Sequence, residues 1–388
     1  MAAIRIVLAN GGGSFASYPQ GGGHWSCFLQ YLFGLNALGH DVFWLEVLRS
    51  CGNGGRDQRL INIFLKRFQR YGYKDRCALL LYDEHITEPT LEAADAFGMS
   101  KSRVREIAQD ADLLWNFACG LPQPLLSMFK RRVLIDGDPG HLQVSATSEM
   151  GIHNHHAFLS VGTKLHDADC EVPTLGVKWH RFIQFVFLPL WDVAPDPGED
   201  APFTSVTHWT WEELELKGRA LSVSKRAAYL RYIDLPERTG RPFELAANIH
   251  PNDPTGDREL MLKMGWKLVN PYRVARSPST YQNYIKKSRA EFSCPKPIHR
   301  ELKTGWFSDR SAGYLASGRP VLAEDTGFSQ HLPTGHGLLC FNNLEEALAG
   351  VAEIDRDYPQ HMRAARELAE EYLDSKKRLP AMLSACGW

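Results

Sequence analysis

The sequence predicts an α/β protein of two doubly wound, Rossmann-like domains facing each other across a cleft, and three observations carry that prediction. The chain opens as strand, glycine-rich loop, helix and strand; a segment rich in Pro, Asp and Gly interrupts it at 193–202; the same alternation then restarts and runs to the end. At roughly 100–200 residues per domain, 388 residues supply two cores that need no disulfide staples.

In the first half, IRIVLAN reads as a strand and GGGSFASYPQGGG as the loop after it. HWSCFLQYLFGLNALG follows as a helix, because Phe28, Leu29, Leu32, Phe33, Leu35 and Leu38 fall at three- and four-residue spacing. Gly39-His40 closes it before the apolar strand HDVFWLE, and this βαβ unit implies a parallel sheet. Strands at 78–83, 111–118 and 131–138 extend the sheet, with amphipathic helical stretches at 91–109. The longest apolar stretch, 181–192, falls short of the roughly 20 residues a membrane helix needs and is expected as a buried strand. The break VAPDPGEDAP then divides the chain into domains 1–195 and 203–388. Beyond it PFTSVTHW, PFELAANI, GWKLVNP, AEFSCP, RPVLAED and GLLCF are strand candidates, alternating with helices expected at 225–233, 255–264, 279–287, 309–316 and 344–354. A helical tail covers 358–384, and its last helix has the reach to cross back to the first domain.

Hydrophobic residues at 44% and charged residues at 23% exclude disorder, collagen and coiled coil. With 44 Lys+Arg against 45 Asp+Glu the net charge is −1, so no general attraction to nucleic acid or anionic lipid is expected. The eight cysteines, Cys27, Cys51, Cys77, Cys119, Cys170, Cys294, Cys340 and Cys386, form no Cys-x-x-Cys pair. Neither a zinc site nor a disulfide framework is signalled, and a reducing, cytoplasmic compartment is expected. The first ten residues lack the basic start and cleavage site of a signal peptide.

Chemistry in doubly wound sheets sits beyond the carboxyl ends of the strands. The most informative loop there is 305–330. Ser308 or Asp309 is a natural N-cap, and the helix start that follows, with Arg310 and the Ser311 hydroxyl, is an anion site suited to a diphosphate. At the next strand end, Glu324 or Asp325 can accept both hydroxyls of a ribose, with Thr326 and Gly327 completing the loop. An ordinary cap and a solvated acidic turn would explain the same residues.

The run GWFSDRS…GRPV…DTGFS, followed by HLPTGHGLLCF and LEEALAGV, resembles the donor half of GT-B glycosyltransferases, in particular a group of bacterial glycosyltransferase-like proteins. YPQGGGHWSCFLQYLFGLNALGHDVFWLE is similar to that group and, more loosely, to inverting glycosyltransferases whose first loop reads Pro-x-x-Gly-His. With CEVPTLGVKW and VTHW the resemblance spans most of the chain. It implies a GT-B, hexosyltransferase-like, metal-independent enzyme with a UDP-sugar as co-substrate and no cofactor. The nucleotide would lie on the C-terminal domain at Ser308, Asp309, Arg310, Ser311, Glu324, Asp325, Thr326 and Gly327, and an acceptor hydroxyl on the N-terminal domain at Gly21, Gly22, Gly23 and Asn116. Many retaining relatives carry two glutamates where this chain has Gly305 and Gly313, so the ribose partner falls to Glu324 or Asp325 and the stereochemistry stays open.

The resemblance also implies His24, at the start of the first helix, as the base that deprotonates the acceptor, a task suited to a group titrating near neutrality. Asp136 or Asp138 is its expected carboxylate partner, preferred to Asn116, which carries no charge. Asp-Gly-Asp also mimics a metal-binding pair, yet the metal assignment is none. The loop holding His153, His155, His156, His166, Asp167, Asp169 and Cys170 fits no zinc spacing, and the basic run Lys66, Arg67 and Arg70 with Lys74 and Arg76 could touch phosphate but reads rather as a solvated helix face. Lys296 and Arg300 are weaker candidates for offsetting leaving-group charge, and Trp209, Asn248, His250, Asn270 and Tyr272 for lining a base or sugar pocket. The reading is therefore glycosyl transfer to an unidentified acceptor, with a sugar-nucleotide epimerase or a non-catalytic nucleotide-sugar or glycan binder as alternatives.

Overall fold

The computed structural model describes residues 2–11 and 15–388, so Gly12, Gly13 and Ser14 of the expected first loop lie outside the described residues. Strands β1 (Arg5–Gly11), β2 (Asp41–Arg49), β3 (Cys77–Tyr82), β4 (Asp95–Gly98), β5 (Leu113–Phe117), β6 (Arg132–Asp136), β7 (Ala157–Ser160) and β8 (Trp179–Arg181) form one sheet in the order β4-β3-β2-β1-β5-β6-β7-β8. Every pairing is parallel except β3 with β4. A second, all-parallel sheet has the order β13-β12-β9-β14-β15-β16, built from β9 (Phe203–Thr207), β12 (Phe243–Ala247), β13 (Trp266–Val269), β14 (Ala290–Ser293), β15 (Val321–Glu324) and β16 (Leu338–Phe341). Between them β10 (Glu213–Leu216) and β11 (Arg219–Ser222) make a separate hairpin. The strand order reverses between β1 and β5 and again between β9 and β14, and these reversals open the crevices in which such sheets hold ligands.

Each sheet is buried on both faces, which is why its strands read as continuous apolar runs. A further core belongs to both halves: Leu134, Leu142, Phe158 and Trp179 pack with Leu221, Ile298 and Leu302. The last helix, Ser375–Ala385, adds Leu379, Met382 and Leu383 to the core of the first sheet. Gly34 makes that docking fit, since a Cβ there would stand 2.5 Å from Leu379 Cδ1.

Four local expectations are corrected. The stretch 181–192 is a strand only at its start; Phe182, Phe185 and Val186 are buried as the chain passes between the sheets, held by a single bridge from Val186 to Asp374. That bridge takes the backbone of Leu373 and Ser375, so the tail is two helices, Tyr358–Tyr372 and Ser375–Ala385, the second capped by Asp374. In 91–109, Gly98 at φ +87 separates edge strand β4 from helix Lys101–Asp110. The helix expected at 225–233 is the shorter Arg226–Leu230, followed by a second at Leu235–Thr239. Segment 193–202 carries no helix or strand and is laid on the second domain, where buried Arg319 donates to the carbonyls of Ala194 and Pro195.

Candidate functional site

The glycines of both loop motifs sit where the two halves touch. Gly22 N–H donates to Ala275 O at 2.6 Å, and a Cβ on Gly22 would lie 2.4 Å from Ser277 O. Gly305, at φ +68, accepts from Thr163 Oγ1 at 2.8 Å, and a Cβ there would lie 2.3 Å from that oxygen. Gly327, at φ +101, faces the stem of Lys164, and a Cβ on Gly313 would meet the Trp191 ring at 2.7 Å. Gly21 precedes the first helix and Gly23 lies against the Tyr281 ring.

Ser308 caps helix Asp309–Ala316 by accepting from Arg310 N–H. The Arg310 side chain runs beneath that helix to the Glu291 carboxylate, Ser293 Oγ and Val206 O, so the expected phosphate contact is not available to its guanidinium. Burial works against its charge, but Glu291 with Tyr229 and Tyr281 outweighs that and holds it charged beyond its usual range. Ser311 is buried as well. Asp309 stays half-exposed; burial raises its pKa despite Arg310 and Lys225 nearby, and its charge reaches Cys27 and Tyr31 of the first helix.

The acidic loop is also engaged. Glu324 receives Arg231 Nη2 at 2.7 and 2.9 Å and Tyr232 Oη at 3.1 Å, with Arg300 at 3.4 Å. Asp325 accepts from Gly327 N–H, Ser329 N–H and Ser329 Oγ, which shapes the turn, and Thr326 Oγ1 donates to Trp306 O. Both carboxylates are thus already engaged within the second domain.

The groups that open on the cleft come from four strand ends. The His24 ring lies tilted beside Tyr18 with centroids 4.7 Å apart, exposed to cleft solvent yet enclosed by both halves; that enclosure, then His208 and Lys296, pull its pKa down to about 4. His208, directly after β9, is lowered by burial and by Lys225 and Lys296. Lys225 lies 5.7 Å over the Trp306 ring, and burial, with Arg310 and Lys296, brings it down to about 7. Lys296, after β14, pairs with Asp138 from the other half. Burial and mutual repulsion disfavour the charged forms of His24, His208 and Lys225, and negative charge entering the cleft would favour them.

Neither expected carboxylate partner of His24 bonds to it. Asp136 accepts from Ser160 Oγ, Gln143 Nε2 and Asp138 N–H, and burial pushes it up to about 6. Asp138 faces Lys296 and His299, which overcome its burial and keep it ionised. Asn116 is fully buried and closes the turn to Leu121 while meeting His155, so it is not a cleft residue. Trp209 Nε1 donates to Asp257 and its N–H to Asn248, inside the second domain, and Asn270 caps a short helix beside exposed Tyr272. His208 and Lys225 were not among the expected site residues: His208 lay within the VTHW segment read as strand, which ends at Thr207, and nothing local signalled Lys225.

The histidine-rich loop is consumed by structure: His155 on Asn116, His156 on Arg132, His166 on Trp179 N–H, Asp167 on Arg181 and Asp169 on Lys164. A cluster with metal-ligand spacing occurs among the described residues at His336, Glu353 and His361. There Gly337 N–H bonds His361 Nδ1, which puts the ring proton on Nε2, the nitrogen facing Glu353 at 3.9 Å, and spends the lone pair a metal would need. Among the described residues no helix is long and apolar enough to cross a membrane.

No protein-family model and no curated protein sequence matches the chain. Solved structures do. An α-glucosyltransferase in complex with UDP-glucose and DNA containing an abasic site superposes with a TM-score of 0.60 at 12% identity, over 100% of both chains. HepE from Anabaena in complex with UDP and glucose gives 0.56 at 10% identity, over 98% of this chain and 100% of that one. AviGT4, a glycosyltransferase involved in avilamycin A biosynthesis, gives 0.54 at 12%, over 99% and 97%. The fold is GT-B: two Rossmann-like halves across a cleft.

Proposed function

We propose that the chain is a glycosyltransferase that takes a hexosyl group from a UDP-sugar and passes it to an acceptor hydroxyl. The observation that carries this reading is the convergence of Lys225, Lys296, His208 and His24 on one cleft, where Lys296 pairs with Asp138 and the other three have pKa values lowered by burial and by cationic neighbours. UDP and UDP-glucose in the complexes of similarly folded proteins support it. The diphosphate would lie against Lys225 and Lys296, in front of helix Asp309–Ala316, with its charge offset by these groups and no metal assigned. Asp309 replaces Glu324 and Asp325 as the donor-loop carboxylate available to hydroxyls, because the other two are spent on Arg231 and on the turn.

His24, neutral at working pH, would take the acceptor proton as the acceptor oxygen bonds to the anomeric carbon. The bond from that carbon to the phosphate oxygen breaks, and its electron pair leaves with UDP beside Lys225 and Lys296. Direct displacement inverts the anomeric centre. Eight unpaired cysteines favour a reducing, cytoplasmic setting. The test is calorimetry of UDP on the wild type and on Lys225→Met, followed by turnover of UDP-glucose with and without candidate acceptors. Absence of UDP binding would overturn the reading; epimer formation without acceptor would turn it toward an epimerase.

A further inference from the structure

Helix Gly54–Arg70 buries Ile61, Phe64 and Phe68 and turns Arg56, Arg59, Lys66 and Arg70 outward. Its one acid, Asp57, is buried and bonded by Ser50 Oγ. In a chain of net charge −1 this face is a local concentration of positive charge rather than a property of the whole surface. Arg276, exposed on the second domain, comes over the same helix and closes an open groove of about 490 Å³. Arg59, Lys66 and Arg276 line it with Gly55, Gln58, Asn62 and Ile63, their apolar stems forming much of its wall, and no carboxylate lines it. Among the described residues none of the three cations is in an ion pair.

Beneath the groove, Arg67 lies 4.5 Å over the Trp25 ring and donates through Nη2 to both Pro19 O and Arg276 O, while its buried Nη1 has no partner. One guanidinium of the same helix therefore ties it to the second-domain loop and to the loop that leads into His24.

We propose that this groove binds a phosphate group of a small soluble ligand across the seam between the two domains. Two guanidinium forks and an ammonium suit phosphate oxygens, and the amides of Gln58 and Asn62 add neutral donors. Because the cations come from both halves, an occupied groove holds the halves together beside the Pro19–His24 loop. The inference does not depend on the donor-site reading.

The full chain is titrated by calorimetry with inorganic phosphate and with glucose 6-phosphate, at low ionic strength and with saturating UDP to fill the cleft. Saturable binding is expected in the wild type, weaker by about tenfold or more in Arg59→Gln/Lys66→Gln and in Arg276→Gln, with UDP affinity unchanged in both variants. Exposed residues make these changes safe for folding. Absence of saturable binding, or equal binding in the variants, overturns the proposal. So does binding confined to phosphatidylglycerol vesicles, measured against phosphatidylcholine vesicles, since that assigns the face to a membrane surface. UDP binding in the same experiment reports on the donor site separately, and its failure leaves the comparison of variants readable.

Discussion

Lys225 makes nucleotide binding a pH-linked event with a defined sign. In the free protein its pKa is brought down to about 7 by burial and by Arg310 and Lys296, so above pH 7 it is largely neutral. A bound diphosphate favours the ammonium form and raises that pKa toward the ordinary lysine range. Binding must then take up protons: at pH 8 a group of pKa about 7 is roughly nine-tenths neutral, so about 0.9 proton enters per UDP bound. Affinity is at its full value below about pH 7 and falls about tenfold per unit as pH rises beyond it, until the pKa of the complex is reached. Below about pH 6 the terminal phosphate itself gains a proton, so the affinity optimum lies between about 6 and 7. Calorimetry in two buffers of different ionisation enthalpy reads the proton count directly. The Lys225→Met variant should bind UDP more weakly at pH 6.5 and lose the pH dependence. A wild-type proton uptake near zero at pH 8, or an affinity flat from pH 7 to 9, would refute the placement of the diphosphate on Lys225.

His24→Ala should lower kcat by about 10²–10⁴ and leave UDP affinity nearly intact, and the acid limb of wild-type kcat/KM, which reports the free enzyme, should lie near 4, where the ring protonates; near-normal turnover in the variant would remove His24 as the base. Arg310→Ala should act on stability instead of nucleotide affinity, because it strands the buried Glu291 carboxylate; a loss of about 3–5 kcal/mol in denaturant unfolding is expected. Gly305→Glu should destabilise the fold by more than about 1–2 kcal/mol from the left-handed backbone alone, read from the unfolding midpoint. Transfer should survive a chelator; turnover abolished by EDTA and restored by magnesium or manganese would bring a metal to the cleft.

Parallel strands were legible because they are buried on both faces and read as unbroken apolar runs, as in VLIDGD or RPVLAED. Helix Asp309–Ala316 was legible to the residue, since Ser308 caps it and Gly318 follows its end. The crossing at 181–192 was not, because a segment packed between the two halves is mostly apolar whatever its backbone does, and Phe182, Phe185 and Val186 are buried without forming a strand. The hairpin β10–β11 carries alternating charge and shows only Leu214, Leu216 and Leu221 as apolar punctuation, too little to mark a strand pair. In the cleft, position along the chain indicated which loops converge but not which side chain of a loop reaches it. Arg310 illustrates the difference: its helix is buried at every position from Arg310 to Ala316, so a charged side chain there must pair inside the protein.

The glycines carry a consequence for the donor site. Gly22, Gly305, Gly313 and Gly327 each stand within 2.7 Å, at their missing Cβ, of an atom from the opposite half or from the segment that joins the halves. A side chain at Gly305 would have to enter Thr163 or unfold a left-handed turn, and one at Gly313 would displace Trp191. Close contact of the halves and a glutamate pair on this loop are therefore mutually exclusive in this chain. A carboxylate that meets donor hydroxyls would therefore come from elsewhere on the loop, and among the donor-loop acids Asp309, which starts the helix facing Cys27 and Tyr31 of the first domain, is neither ion-paired nor spent on a turn. Its elevated pKa follows from the same enclosure, so a ligand that brings hydroxyl donors to it would favour the ionised form and draw its pKa back toward the ordinary range.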